Sequence, residues 1–435
     1  MPTVAQVATV LQQVLTTTAA ESARTSQFIK RQGKLTGPAF VQGLVFGWLA
    51  HPDATYDQLV QAIARAGSCI TPQALFQRFT DEAVTCLAAV LDAATAAVVQ
   101  ADTVGASLLT RFTAVWLLDS STVRLPDHYA EAWPGSGEAG TAGAKLHVLL
   151  DLVRGRLQGP KVEPGRPHDK HSPLQSVSIE PGALRITDLG FYALTRLRQI
   201  AEAGAYWLCR AQVQTHLTTA EGRTWTLVAF MRTQRGDEVD VPVTLGAKEH
   251  LPARLIAFRL DGQAAARRRR ALRRQAKQKG QTVSADRLAL AGWDISVTNV
   301  PVDLLSAEES RVLLRARWQI ELLFKRWKSA GTIDEWRSQQ AARILCELYA
   351  KLIGQVITQW ASVVGAWHML ERSLVKVARV VQDHAIALAL ALSSRRQLCR
   401  VLRLLRESCQ TGCRVNTRKT TPNHAQLIQE SARAA

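Results

Sequence analysis

Residues 114–125 read AVWLLDSSTVRL. Five apolar residues precede Asp119, which argues for a strand covered on both faces and central in a sheet. An ionised carboxylate in such a strand costs free energy unless it is paired or bound to a cation. Asp119 is therefore either a buried structural acid or part of a site. Working outward, KLHVLLDLV (145–153), ALRITDLG (183–190) and AYWLCRAQV (205–213) are further strand-like runs, with helix candidates at 172–178 and 191–203 between them. Strands mixed with helices over 109–211 predict an α/β core. Asp188 ends the run LRIT just before a helix candidate, at a strand's carboxyl edge, where sites in α/β sheets gather. As a single residue it can equally be a helix cap.

The chain has 435 residues, 47% of them apolar, an ordinary share for a globular protein long enough to hold two or three cores. Lys and Arg number 54 against 36 Asp and Glu, a formal net charge of +18 that points to a polyanionic partner, nucleic acid first. The longest unbroken apolar run, 385–392, has eight residues, far short of a membrane span. No cationic stretch followed by an apolar core opens the chain, so a cytoplasmic protein is expected. Seven cysteines at 69, 86, 209, 346, 399, 409 and 413 form no CxxC pair, which suits reduced thiols better than disulfides or zinc.

By pattern, residues 1–108 are helical. A helix over 56–66, a turn, and a helix over 72–79 started by Thr71 and Pro72 can form a helix-turn-helix offering Gln73, Gln77 and Arg78 to DNA, or a plain helical hairpin. Over 212–300, RTWTLVAFM, DVPVTLG, ARLIAFRL and WDISVTNV predict a mostly antiparallel insertion. Within it, RRRRALRRQAKQK (267–279) carries Arg267, Arg268, Arg269, Arg270, Arg273, Arg274, Lys277 and Lys279 with no acid between Asp261 and Asp286. Such a run is either a solvated, flexible segment or a contact for phosphates. Helices are expected over 301–366 and again over 367–435, where the last 25 residues read as a loose tail.

The stretch LRARWQIELLFKRWKS (314–329) has a single acid, Glu321, among bases. With Arg317 at zero on a helix of about 100° per residue, Glu321 falls near 40°, Lys325 near 80° and Lys328 near 20°, one narrow stripe beside an apolar face. Those bases and Glu321 are either ordinary ion pairs one turn apart or parts of a site. Two strand carboxylates and one helix carboxylate suit hard divalent cations, which take oxygen ligands and phosphate oxygens.

The ordered pieces AVWLLDSSTVRLP, KLHVLLDL, ITDLGFYALTRLRQIAEAGAYWLCR, DISVTNVP and RARWQIELLFKRWKS, spread between about 28 and 365, resemble the DDE transposases of bacterial insertion sequences. The resemblance implies an RNase H-like mixed-sheet catalytic core (109–211 and 301–366), interrupted by a β-rich insertion (212–300). An N-terminal helical DNA-binding domain (1–108) and a C-terminal helical region (367–435) flank it. It assigns Asp119, Asp188 and Glu321 as the catalytic acids and the ligands of two Mg²⁺ ions, for which Mn²⁺ can substitute. Its branch with a β-rich insertion also carries a Tyr-Arg-Glu-Lys signature, matched here by Arg317, Glu321 and Lys328, with Leu314 at the Tyr position. What the resemblance implies is a transposase that binds terminal inverted repeats and cleaves DNA by two-metal hydrolysis. The freed 3′-hydroxyl ends are then joined to target DNA within a synaptic homodimer. With Leu314 in view, the alternative is an inactive or domesticated copy that binds DNA without cutting it.

Some relatives hold a flipped base on an aromatic residue of the insertion. Trp225 or Trp293 can do this, or each can be a core residue. His168 and His171 lack a helix that would align both rings on zinc, and 133–137 lacks the spacing of a nucleophile elbow.

Overall fold

The structure, a computed structural model, describes residues 4–31, 33–101, 106–278, 280–369 and 371–415. The expected C-terminal tail beyond 415 and Lys279 lie outside the described residues.

The N-terminal helices are α1 (Val4–Gln12), α2 (Ala19–Thr25), α3 (Gly37–Ala50), α4 (Tyr56–Arg65), α5 (Pro72–Phe76), α6 (Asp81–Ala96) and α7 (Ser107–Thr110). Their starts follow from capping chemistry. Thr36, Thr55, Thr71 and Thr80 each accept a backbone N–H from the first turn, and Thr55 with Gln58 closes a capping box. Helices α3 and α4 pack at close range, because a Cβ on Gly43 would collide with Ile63. α5 is shorter than the sequence predicts: it ends at Phe76, with Gln77 as its C-cap.

The strands are β1 (Val115–Leu125), β2 (Ala142–Asp151), β3 (Leu157–Pro164), β4 (Leu184–Thr187), β5 (Tyr206–Arg210), β6 (His216–Thr219), β7 (Thr224–Thr226), β8 (Glu238–Leu245), β9 (Leu251–Arg259) and β10 (Trp293–Thr298). They form one sheet in the order β3-β2-β1-β4-β5-β10-β9-β8-β6-β7. β1, β4 and β5 run parallel and β2 pairs antiparallel with β3, the mixed sheet expected of an RNase H-like core. Helix α8 (Leu194–Glu202) connects β4 to β5.

The fold divides into two compact units. One takes the described residues of 1–110, 119–167 and 318–415, and the other 111–118 and 168–317.

In the second unit, β10 pairs antiparallel with both β5 and β9, and β9 with β8. The strands of the insertion thus extend the core sheet. Backbone donors left open along one edge strand are satisfied by the next, so a β-rich insertion continues a ladder at little cost. Two sequence expectations change here. RTWTLVAFM is not one strand, because β7 ends at Thr226, which caps α9 (Leu227–Thr233) by accepting from Ala229 N. The basic run is helical, within α10 (Gly262–Gln278), followed by α11 (Ala285–Leu290).

The single helix expected to carry Arg317 with Glu321, Lys325 and Lys328 is two helices, α12 (Ala307–Ala316) and α13 (Trp318–Ser329), with Arg317 as the C-cap of the first. Ser306 and Glu309 form the capping box that starts α12. In the first unit, α14 (Ala341–Gly365) is buried on nearly every side and packs on α3, α6 and α17 (Arg395–Thr411). α15 (Leu374–Asp383) and α16 (Ala385–Ala391) lie between α14 and α17.

Candidate active site and nucleic-acid interface

β1 is buried up to Leu118 and half-exposed from Asp119 to Thr122. The cause is strand length: β4 pairs with β1 only from Val115 to Leu118, so cover on that side stops where Asp119 begins. Asp119 is therefore not a buried structural acid. One of its oxygens, Oδ1, accepts the N–H of Ser120 at 2.8 Å.

Within the first unit, Asp119, Ser120 and Ser121 line an open cleft of about 500 Å³ together with Glu321, Phe324, Lys325, Lys328 and Ser329 of α13. The helical stripe from Glu321 to Lys328 thus faces the cleft as its spacing predicts, while Ile320, Leu323 and Trp327 fill the core on the other side. Lys328 is fixed there, donating from Nζ to the carbonyl of Thr122 at 2.8 Å. Lys325 is exposed. Arg326, counted among the bases of this stretch, points inward: it is 4% exposed, donates to Gln359 Oε1 at 3.4 Å, and burial pushes its guanidinium down to about 10.

Asp188 belongs to the second unit. β1 and β4 are in register with Leu118 opposite Thr187, and Asp119 and Asp188 are the residues that follow each. Asp188 occupies the N-cap position of a short 3₁₀ turn, Leu189–Phe191, with no side-chain capping hydrogen bond. The structure gives no support to a role as a cap.

Among the described residues, no group of three or more His, Cys, Asp and Glu is arranged to hold a metal ion. The cleft's own donors do fit a hard cation, which binds through one or two carboxylates and takes its remaining ligands from water and phosphate. Asp119 and Glu321 supply such oxygens on one open surface.

The basic run splits by burial. Arg267, Arg270, Arg273, Arg274 and Lys277 are exposed along α10. Arg268 instead donates to the Trp293 carbonyl at 2.7 Å and lies 3.9 Å from Asp294, and Arg269 donates to the Leu288 carbonyl at 3.2 Å. These two arginines are engaged in holding α10 to its neighbours. Gln73, Gln77 and Arg78 are all exposed around α5. Arg317 is half-exposed at the end of α12. Trp293 is 7% exposed under Arg259, a core position. Trp225 is half-buried, with the Arg223 guanidinium 4.0 Å from its ring.

Sequence reasoning missed two residues of the cleft, Asp334 and Glu335. Their only signal is an acidic pair soon after Gly331, which any surface turn can carry. None of the seven cysteines is in a disulfide. Burial pushes the thiols of Cys86, Cys209 and Cys346 up, Cys86 to about 12, which keeps them protonated and unreactive.

Residues 110–356 match the transposase DDE domain family. Along most of its length the chain is 28% identical, over 421 residues, to the transposase for insertion sequence element IS231E of Bacillus thuringiensis subsp. finitimus, covering 89% of this chain and 87% of that relative. It is 24% identical over 360 residues to the transposase for insertion sequence element IS1151 of Clostridium perfringens, covering 77% and 76%. A putative transposase, InsL for insertion sequence element IS186A of Escherichia coli (strain K12), is 29% identical over 240 residues, covering 53% of this chain and 63% of its own length. With a mixed sheet of RNase H-like order and a match across more than half its residues, the chain belongs to the transposase DDE domain family of bacterial insertion sequences.

Proposed function

We propose that this transposase binds the terminal inverted repeats of its insertion sequence, cleaves there by metal-assisted phosphodiester hydrolysis, and joins the 3′-hydroxyl ends to target DNA. Asp119, Asp188 and Glu321 are the catalytic acids and the ligands of two Mg²⁺ ions, with Mn²⁺ as a substitute. The observation that carries this reading is the cleft itself. It sets Asp119 and Glu321 on one open surface with Lys325 and Lys328. The register that sets Leu118 opposite Thr187, the residues just before Asp119 and Asp188, supports the third acid.

When bound, the ions supply positive charge that activates the attacking oxygen and stabilises the leaving one. The chain's own residues do the rest. Lys328, fixed by Thr122, and Lys325 attract the phosphate backbone, and the exposed bases of α10 hold flanking DNA through counterion release. Arg317 adds a further phosphate contact, and Gln73, Gln77 and Arg78 reach base edges at the element ends. Two copies pair in the synaptic complex. Residues 1–108 serve as the end-binding domain, 109–211 with 301–366 as the catalytic core, and 212–300 as the insertion. No helix among the described residues is long and apolar enough to cross a membrane, and the reading places the protein with DNA in the cytoplasm.

One observation favours a second reading, a copy that binds ends without cutting. Leu314 removes the hydroxyl that the signature Tyr offers to phosphates. The deciding experiment is Mg²⁺-dependent cleavage of a labelled duplex carrying the element's end, wild type beside Glu321→Gln. Cleavage by wild type alone supports the first reading. End binding by both without cleavage by either supports the second.

A further inference from the structure

The segment after α13 forms part of the same cleft and is held by buried charge that the proposed chemistry does not use. Asp334 and Glu335 line the cleft with Asp119 and Glu321. They follow Thr332, whose φ of 41° lies in the left-handed region, a conformation that a β-branched residue keeps only when its surroundings over-determine it.

Those surroundings are specific. Lys351 of α14 is 3% exposed, and its Nζ donates to the Thr332 carbonyl at 2.9 Å, to Thr332 Oγ1 at 3.1 Å and to the Glu335 carbonyl at 3.0 Å. The same ammonium lies 2.7 Å from Glu347 Oε1, and Arg343 holds the other oxygen of Glu347 at 2.6 Å. The Arg343 guanidinium sits over the rings of Trp48 and Phe79, 4.5 and 4.6 Å from their centres. From the turn between α3 and α4, the Pro52 carbonyl accepts the Thr332 hydroxyl at 3.4 Å and Asp53 pairs with Arg337 at 2.8 Å. A Cβ on Gly331 would lie 2.5 Å from Gln355 Nε2 and 2.7 Å from the Trp327 carbonyl, so the chain enters this turn with no room to shift.

The cleft therefore has a basic side, Lys325 and Lys328, and an acidic rim, Asp334 and Glu335, whose backbone is tied to α14. A phosphate backbone is drawn to the first and repelled by the second. We infer that Lys351 is a positioning residue: the rim it fixes sets where a DNA strand crosses the cleft, and so which phosphodiester reaches Asp119 and Glu321. This rests on the cleavage reading above.

The test uses the full chain and a labelled duplex carrying the element's end, with cut positions mapped in Mg²⁺ and affinity for end and unrelated duplexes measured in EDTA. Wild type should cut at one phosphodiester. Lys351→Met and the double variant Asp334→Asn with Glu335→Gln should spread cuts over neighbouring positions, and Lys351→Arg should restore the single cut. Removing the rim's charge should also tighten binding to unrelated duplex by roughly threefold or more. The double variant changes exposed or half-exposed groups, so it keeps the test open if Lys351→Met does not fold. Wild-type cut position and wild-type affinity in the double variant overturn the inference. If wild type does not cut at all, the cleavage reading fails by itself. The EDTA arm then decides the rim: tighter binding supports it, and unchanged affinity removes it.

Discussion

Glu321 on α13 and Glu347 on α14 stand in the same local pattern, an Arg four residues before and a Lys four residues after: Arg317 and Lys325 for the first, Arg343 and Lys351 for the second. Their surroundings are opposite. Glu321 is half-exposed on an open cleft, with Lys325 in solvent. Glu347 is 3% exposed, and both of its bases close on it at 2.6 and 2.7 Å. The difference comes from the helices. α13 buries one face and leaves a stripe open, whereas α14 is covered nearly all round. A base beside a glutamate on a covered helix cannot reach water and must pair, while on an open helix the same pair contributes only a few tenths of a kcal/mol. One pattern thus yields a buried strut in one helix and a half-exposed carboxylate on an open cleft in the other.

The largest effect that can break this comparison is catalytic. Glu321→Gln should lower end cleavage by on the order of a thousandfold or more, the loss of several kcal/mol of metal-assisted stabilisation, with the urea midpoint of unfolding unchanged. Substantial residual cleavage would return Glu321 to the same structural class as Glu347.

Next comes Glu347→Ala, which leaves Arg343 and Lys351 buried without their counter-ion. It should cost about 3–5 kcal/mol, the penalty of stranding a buried charge, read as a shift in the urea midpoint. A loss under about 1 kcal/mol would mean that water reaches this network, as it does at exposed pairs.

Between the two extremes stands Glu309 in the second unit, 8% exposed and held by Arg111 through two hydrogen bonds at 2.8 and 2.9 Å. Burial pushes its carboxyl up, but the hydrogen bonds from Arg111 and Ser306 outweigh burial and hold it below the usual carboxylate range. A depressed native pKa makes this stabilisation present above about pH 4.5 and lost as pH falls through the native value. Arg111→Ala should cost about 1.5–3 kcal/mol at pH 7, as for other charge-assisted hydrogen bonds. It should also flatten the acid limb of a stability-against-pH curve. An unchanged acid limb would place the pair with the exposed ones.

The smallest effect concerns bases exposed along α10. Arg273→Glu with Arg274→Glu should leave stability unchanged and reduce the salt slope of DNA binding by about 2, near 0.9 for each lost phosphate contact. Arg268→Ala, by contrast, should lower stability through its lost bond to Trp293. Equal salt slopes in wild type and the double variant would make the exposed stripe of α10 a spectator.

Much of the architecture was legible because its signals are local. The apolar run before Asp119, the Thr71 and Pro72 pair that starts α5, and the stripe from Glu321 to Lys328 all depend on spacing within one element. The parts that were not legible depend on partners far along the chain. Nothing local told RTWTLVAFM to turn into a helix at Leu227. Nothing in the run of arginines separated Arg268 and Arg269, drawn to carbonyls of 293 and 288, from the exposed Arg270 and Arg273. The break at Arg317 likewise falls inside an unbroken helical pattern.

The sequence by itself determined which chemical groups exist and how they are spaced: three acids in order, bases one and two turns from the last, a surplus of positive charge, and alternating strands and helices. Helix and strand periods suffice for that, because side-chain direction repeats every 3.6 or 2 residues. Only the tertiary structure decided which of those groups meet water. Where β4 stops beside β1, Asp119 is uncovered. Where α14 is enclosed, Glu347 and its two bases are locked together, and Lys351 is turned onto the backbone of the cleft's rim. Burial is a property of neighbours distant in the chain, and it fixes whether a charge faces solvent or is obliged to pair.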